Sequence, residues 1–162
     1  HINAGPVGYH RSPGLTPIRQ LELASNGRGL VGEDTLAAIE KSDERIFDRA
    51  LDARQLQGIG YKIRFHLHPD VRAELDMGGS AVSITLKSGE VWVFRHEGAT
   101  SLELQASVFM EKGRLKTRAS KQVVLSGVAL EYATRIRWTI AKAQDTPDTV
   151  RDLRRDDVAE LN

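Results

Sequence analysis

Ile63, Phe65 and Leu67 alternate with Lys62, Arg64, His66 and His68, the period-two pattern of a strand with one buried face and one wet face. Pro69 has no N–H to give a ladder and ends the run. The same pattern recurs along most of the chain. Residues 18–24 and 29–35 flank Ser25-Asn26-Gly27, and Asn-Gly is the strongest short-range hairpin signal because both residues tolerate positive φ. Residues 71–75 lead into a turn at Met77-Gly78-Gly79, and 81–86 line up Val82, Ile84 and Leu86. Lys87-Ser88-Gly89 then turns into 91–95, where Trp92, Val93 and Phe94 are apolar on both faces and predict a central strand. Leu102, Leu104, Ala106 and Val108 alternate with polar neighbours up to a turn at Lys112-Gly113. Residues 115–125 alternate again, and 134–141 place Ile136, Trp138 and Ile140 opposite Arg135 and Arg137. About nine strands joined by Gly-centred turns predict an all-β fold, an antiparallel β-sandwich. Its inward side chains should include Ile63, Phe65, Leu67, Val82, Ile84, Trp92, Leu104, Val108, Val124, Ile136 and Trp138.

Two segments break the alternation. Residues 36–57 are charged and rich in helix formers, with Leu36, Ile39, Ile46, Phe47 and Leu51 spaced for one helical face and Asp34 or Thr35 available as a cap. This predicts an inserted helix or loop lying against the sandwich. Residues 145–162 carry Asp148, Arg151, Asp152, Arg154, Arg155, Asp156 and Asp157 with few large apolar residues, as a flexible tail or a short surface helix would.

Composition narrows the function classes more than it selects one. A chain of 162 residues fits one domain of ordinary size with a real core. A formal net charge of +1 argues against a dedicated nucleic-acid binder, and no window reaches the length of a membrane span. Without cysteine there is neither a disulfide nor a thiolate metal site. The chain opens at His1 rather than at a methionine, as a piece of a longer protein or a processed one would.

Candidate chemistry is sparse. His66 and His68 share one strand face about 6–7 Å apart, a spacing open to metal binding, to contact with a saccharide or neighbouring domain, or to a plain polar surface. Asp70 and His96 are the available further ligands. Tyr9-His10-Arg11 lies in a loop-like stretch and carries acid/base side chains. Lys112, Arg114, Lys116, Arg118 and Lys121 make the densest basic run, suited either to an anionic polymer or to protecting an edge strand from aggregation. Trp92 and Trp138 could stack on sugars, but their strands are apolar enough to put both in the core. No Gly-rich phosphate loop, nucleophile elbow or persuasive carboxylate pair is present, so no catalytic constellation is complete.

Several separated stretches together resemble one family. They are Gly8-Tyr9, Gly14-Leu15, Arg19-Gln20-Leu21-Glu22-Leu23 and Leu30-Val31-Gly32-Glu33-Asp34-Thr35-Leu36. Further on come Ile63-Arg64-Phe65-His66-Leu67-His68-Pro69, Ser88-Gly89-Glu90-Val91-Trp92-Val93-Phe94-Arg95, Gln122-Val123-Val124-Leu125-Ser126-Gly127 and Arg137-Trp138. In this order they resemble the later part of the heparinase II/III-like domain of bacterial polysaccharide lyases. The resemblance runs from Tyr9 to Ile140, interrupted at 40–57. It departs at Thr16-Pro17-Ile18, where similar chains have a histidine and basic residues, so no role is carried onto that stretch.

The resemblance implies an N-terminal α-helical toroid, a C-terminal β-sandwich and substrate held between them. It implies cleavage of uronic-acid polysaccharides by β-elimination: the carboxylate is neutralised, a base takes the C5 proton and an acid protonates the departing O4. The family's catalytic Asn, Tyr and His lie mostly on the toroid, and its His-rich motif and metal ligands precede the region matched here. The expectation is therefore a β-sandwich domain over 1–144 with a tail over 145–162, catalytically incomplete alone and with no catalytic or metal-binding residue of its own. Substrate contact would fall to Arg64, His66 and His68. Zinc would belong to the parent protein, and the partners would be the toroid and an acidic polysaccharide, in the periplasm or cytoplasm of a bacterium. A stand-alone carbohydrate-binding or structural β-sandwich module is the alternative.

Overall fold

The alternating segments pair as antiparallel ladders and stack in two sheets. The computed structural model describes residues 2–4, 13–98, 100–111 and 116–143, the first three as backbone alone. The described strands are β1 (Ile2–Ala4), β2 (Thr16–Leu23), β3 (Gly29–Ala37), β4 (Ile59–His66), β5 (Arg72–Asp76), β6 (Ala81–Thr85), β7 (Val91–Glu97), β8 (Ser101–Met110), β9 (Thr117–Ala129) and β10 (Ala133–Lys142). Helix α1 (Lys41–Asp52) lies between β3 and β4. One sheet has the order β1-β2-β3-β10-β7-β6-β5 and the other β4-β9-β8, every pair antiparallel. The all-β sandwich is thus the fold. The tail expected from residue 145 lies outside the described residues.

Local turn chemistry does what the sequence asks of it. Gly27 takes a positive φ of 67°, Asn26 accepts the Arg28 N–H through its side chain at 2.9 Å, and β2 runs back on β3 with Leu23 opposite Leu30. The inner faces then meet. Ala73, Val82, Ile84, Phe94, Val123, Leu125, Ile136 and Trp138 are buried together, with Ile63, Phe65, Leu67 and Leu104 packed against them. Each such aliphatic or aromatic side chain contributes about 1.5–3 kcal/mol by leaving water. Phe65 sits 4.8 Å from the Trp138 ring and 5.0 Å from Phe94, a tilted aromatic cluster that locks the indole. Gly32 is required beneath it, because a Cβ there would lie 2.1 Å from the Trp138 ring.

Four expectations change. Val108 is not buried: it shares the phase of Leu102 and Leu104 but is 71% exposed, opposite Ala119 where β9 no longer has β4 beside it. The helix is not capped by Asp34 or Thr35, since β3 pairs with both β2 and β10 through Ala37 and holds those residues extended. Glu40 occupies the cap position instead, its N–H bonded to the Asp43 side chain at 3.2 Å. The basic strand β9 is the centre of the small sheet rather than an edge. Its charged end lies beyond the β4 ladder, which stops at His66 opposite Gln122, and is paired with β8, with the Leu67 N–H still donating to the Lys121 carbonyl at 2.9 Å. Finally, Val124 is buried on the outward face of β9 between Arg64 and Glu103, so β9 is covered on both sides at that rung.

α1 closes one end of the sandwich as expected. Phe47 is 1% exposed and packs with Leu15, Ile59 and Ala129. The chain reaches this contact through Gly14 at φ 77°, where any Cβ would meet the backbone of Asp43 and Phe47.

Candidate functional site

Strand β4 is an edge of the small sheet, and its phase decides which side chains meet solvent. Tyr61, Ile63 and Phe65 turn into the core, leaving Lys62, Arg64 and His66 exposed on the outer face. Across the ladder these three stand beside Ser126, Val124 and Gln122 of β9, and beyond them Ser101, Glu103 and Gln105 of β8. The His66 Nδ1 lies 3.1 Å from the Ser107 hydroxyl, and the side chain is exposed. Among the described residues Arg64 makes no hydrogen bond or ion pair, whereas Arg19, Arg72, Arg118, Arg135 and Arg137 each lie within 4 Å of a carboxylate.

His68 follows the strand end and answers to different neighbours. Its Nδ1 accepts the Asp70 N–H at 3.2 Å, and its ring meets Phe109 edge-on with centroids 4.9 Å apart. Asp70 is the hub of an ion cluster, with the Arg118 guanidinium at 2.5 Å and the Lys87 ammonium at 2.9 Å; Arg118 also reaches Glu111 at 3.1 Å. Hydrogen bonds from Arg118 and Lys87 hold the Asp70 carboxyl down from its ordinary 3.8 to about 2. Because the folded pKa is the lower one, the cluster's stabilisation is complete above the unfolded value and is lost as pH falls toward 2. Urea midpoints measured from pH 5 to pH 2 should therefore decline less steeply for Asp70→Asn than for the parent chain, and equal slopes would refute the assignment.

The remaining candidates are placed plainly. Among the described residues no three His, Asp or Glu side chains converge on a point; the Nδ1 of His66 lies against the Ser107 hydroxyl and that of His68 accepts the Asp70 N–H. His96 bonds Thr100 at 2.6 Å, away from that pair. Tyr9, His10, Arg11, Lys112 and Arg114 lie outside the described residues. Trp138 is buried, and Trp92 is packed against the core with its Nε1 shielded and unpartnered.

Sequence reasoning missed a polar cluster inside the sandwich. Arg19 of β2 grips Asp34 of β3 in a two-pronged pair, Nε to Oδ1 at 2.6 Å and Nη2 to Oδ2 at 3.0 Å. The Trp138 indole N–H donates to the same Oδ2 at 2.8 Å, and the guanidinium lies over the Phe65 ring at 4.9 Å. The signal was available, since Arg19 and Asp34 both occupy core-facing phases of apolar strands, where an unpaired charge would be costly. Three separately weak motif stretches thus become one contact.

The outer face of β4 thus presents Lys62, Arg64 and His66 exposed in a row. Comparison with known proteins agrees with the architecture. A family model described as heparinase II/III-like, C-terminal, matches residues 2–139. FtsZ-localized protein C of Caulobacter vibrioides is 33% identical over 138 residues, which make up 83% of this chain and 22% of that protein. Heparan sulfate lyase HepC of Pedobacter heparinus is similar in structure, with a TM-score of 0.62 at 12% identity over 90% of this chain and 20% of the lyase. A mutant of that lyase gives 0.61 at 13% identity over 84% and 19%. The chain spans about a fifth of the length of these relatives. At such identities the likeness to the lyase is one of fold.

Proposed function

The chain belongs to the heparinase II/III-like, C-terminal family, and from that premise we propose that it is the β-sandwich part of a polysaccharide lyase, catalytically incomplete by itself. In this reading it packs on an α-helical toroid and walls one side of the cleft in which a uronic-acid polymer is cleaved by β-elimination. Arg64 and His66, with His68 at the strand end, would face the acidic saccharide. The observation that carries the reading is Arg64, an exposed guanidinium with no carboxylate partner among the described residues, on the flat outer face of a sandwich of this family. A free guanidinium can neutralise a uronate carboxylate, which the reaction needs before the C5 proton becomes acidic enough to remove. The base and acid of the later steps would come from the toroid.

Elimination creates an unsaturated uronide that absorbs in the near ultraviolet, so the test is direct. Chain 1–162 alone should produce no such absorbance from heparan sulfate, alginate or related polymers, whereas the complete gene product should. Sustained turnover by the isolated chain, lost on mutating His10 or His66, would mean that the active site lies here after all.

A second reading is favoured by one observation. Identity to FtsZ-localized protein C is 33%, against 12–13% to the lyase. That relative's name places it with FtsZ, so the sandwich would instead be a structural module of a protein localised with FtsZ. Co-sedimentation of the complete product with FtsZ polymers, in the absence of any elimination activity, would select this reading over the lyase.

A further inference from the structure

We infer that the free edge of β4 is a docking site for one extended peptide segment of a partner protein, added as a fourth, antiparallel strand to the small sheet. The segment carries acidic side chains on the outer face and apolar ones on the inner face. Main-chain hydrogen bonds rather than sugar contacts carry this inference, so it stands apart from the saccharide reading. β4 has β9 on one side and no strand on the other. The Leu67 N–H donates to the Lys121 carbonyl at 2.9 Å, which sets the phase of the ladder. By the alternation of antiparallel pairs, the main-chain groups of Tyr61, Ile63 and Phe65 face β9, opposite Gly127, Leu125 and Val123. Those of Lys62, Arg64 and His66 face the free edge, and among the described residues no backbone group bonds them.

An edge of this kind is ordinarily blunted by shortness, proline, a bulge or a covering element. β4 has eight residues, no proline and an unbroken register from Ile59 to His66. The edges of the large sheet are short, β1 with three residues and β5 with five. β8, the remaining edge, lies against β5, and Lys121 beside it donates to the Ala73 carbonyl there at 2.7 Å. The gap between the sheets also stays open along β4. Val123 and Leu125 on central β9 are fully buried, whereas Tyr61, Ile63 and Phe65 on β4 are only half-buried. An added strand covers their open flanks with its own inward side chains, so it buries apolar surface as well as extending the ladder.

Charge decides which strand is accepted. Lys62, Arg64 and His66 are exposed on the outer face. Side chains directly opposite on neighbouring antiparallel strands stand about 4.5–5.5 Å apart, so opposite charges attract there and like charges repel. A second copy of this chain is thereby disfavoured. Antiparallel pairing of two β4 edges centred on Arg64 sets Arg64 against Arg64 and each Lys62 against a His66. A segment with Asp or Glu at every second position meets all three without conflict, and the selectivity comes from repulsion as much as from attraction.

The test uses chain 1–162 and a synthetic alternating Glu-Val peptide of the length of β4, followed by calorimetry and amide hydrogen exchange. The peptide should bind. Exchange at Lys62, Arg64 and His66 should slow by about tenfold or more, while Ile63 and Phe65, already paired with β9, change little. N-methylation of the glutamate amides, which face β4 in this arrangement, should abolish binding, and N-methylation of the valine amides should not. Lys62→Glu combined with Arg64→Glu should reverse the preference, toward a Lys-Val counterpart that the parent chain refuses. No binding up to about 1 mM peptide, equal effects of the two N-methylations, or unchanged exchange at Lys62, Arg64 and His66 would overturn the inference. So would poly-glutamate bound as tightly as the alternating peptide, for that is charge without a strand. None of these outcomes bears on elimination by the complete product, so the lyase reading is judged separately.

Discussion

Asp34→Ala should destabilise the chain by about 3 kcal/mol, read as a shifted urea midpoint at neutral pH. Asp34 is 8% exposed and accepts from Arg19 and Trp138 at once, so its loss strands a guanidinium and an indole N–H together. Removing one partner of a buried ion pair costs about 3–5 kcal/mol because the other charge is left uncompensated. The lower end applies, since the Arg19 side chain is 33% exposed and can partly rehydrate. Asp34→Asn should cost less, for it keeps an acceptor. The decisive measurement is the double variant Arg19→Met with Asp34→Ala. If the stranded charge is the cause, removing it should recover part of the lost stability. A double variant as unstable as the sum of its single changes would place the loss in packing instead.

Phe47→Ala should cost about 3 kcal/mol or more, the range for emptying a buried aromatic site. The ring is 1% exposed, meets Tyr132 edge-on at 5.5 Å, and is the buried residue that ties α1 to the end of the sandwich. A helix of 12 residues is marginal on its own, so its order depends on that contact. The loss should be uneven. Amide hydrogen exchange should quicken across 41–52 while Val123, Val124 and Leu125 at the centre of β9 stay protected. Equal loss of protection in helix and sheet would show that α1 folds as one unit with the core rather than docking on it.

The candidate site was half legible before any coordinates. Alternation alone put Lys62, Arg64 and His66 on the wet side of a strand, because the period of two is a property of extended backbone itself. It could not say that Arg64 lacks a partner, since that depends on which strands lie alongside and on their register. Asp70 makes the same point in reverse. Nothing in its neighbourhood of sequence announces Arg118, which is 48 residues away and arrives only because β9 crosses the end of β4.

The amino-acid sequence by itself determined the strand character of most of the chain, its hairpin at Asn26-Gly27, the break in alternation over 36–57 by a helix or loop, and the inward phase of Ile63, Phe65, Leu67, Ile136 and Trp138. These follow from local rules: backbone period, glycine's access to positive φ, and the cost of leaving apolar side chains wet. Only the tertiary structure decided that β9 is central, that Val108 overhangs into solvent despite its apolar phase, that Glu40 rather than Asp34 caps the helix, and that Asp34 is buried against Arg19 and Trp138. Those outcomes depend on pairings between residues up to 104 positions apart, as for Trp138 and Asp34. A strand's own alternation says which way its side chains point, and only the neighbouring strands settle what they meet.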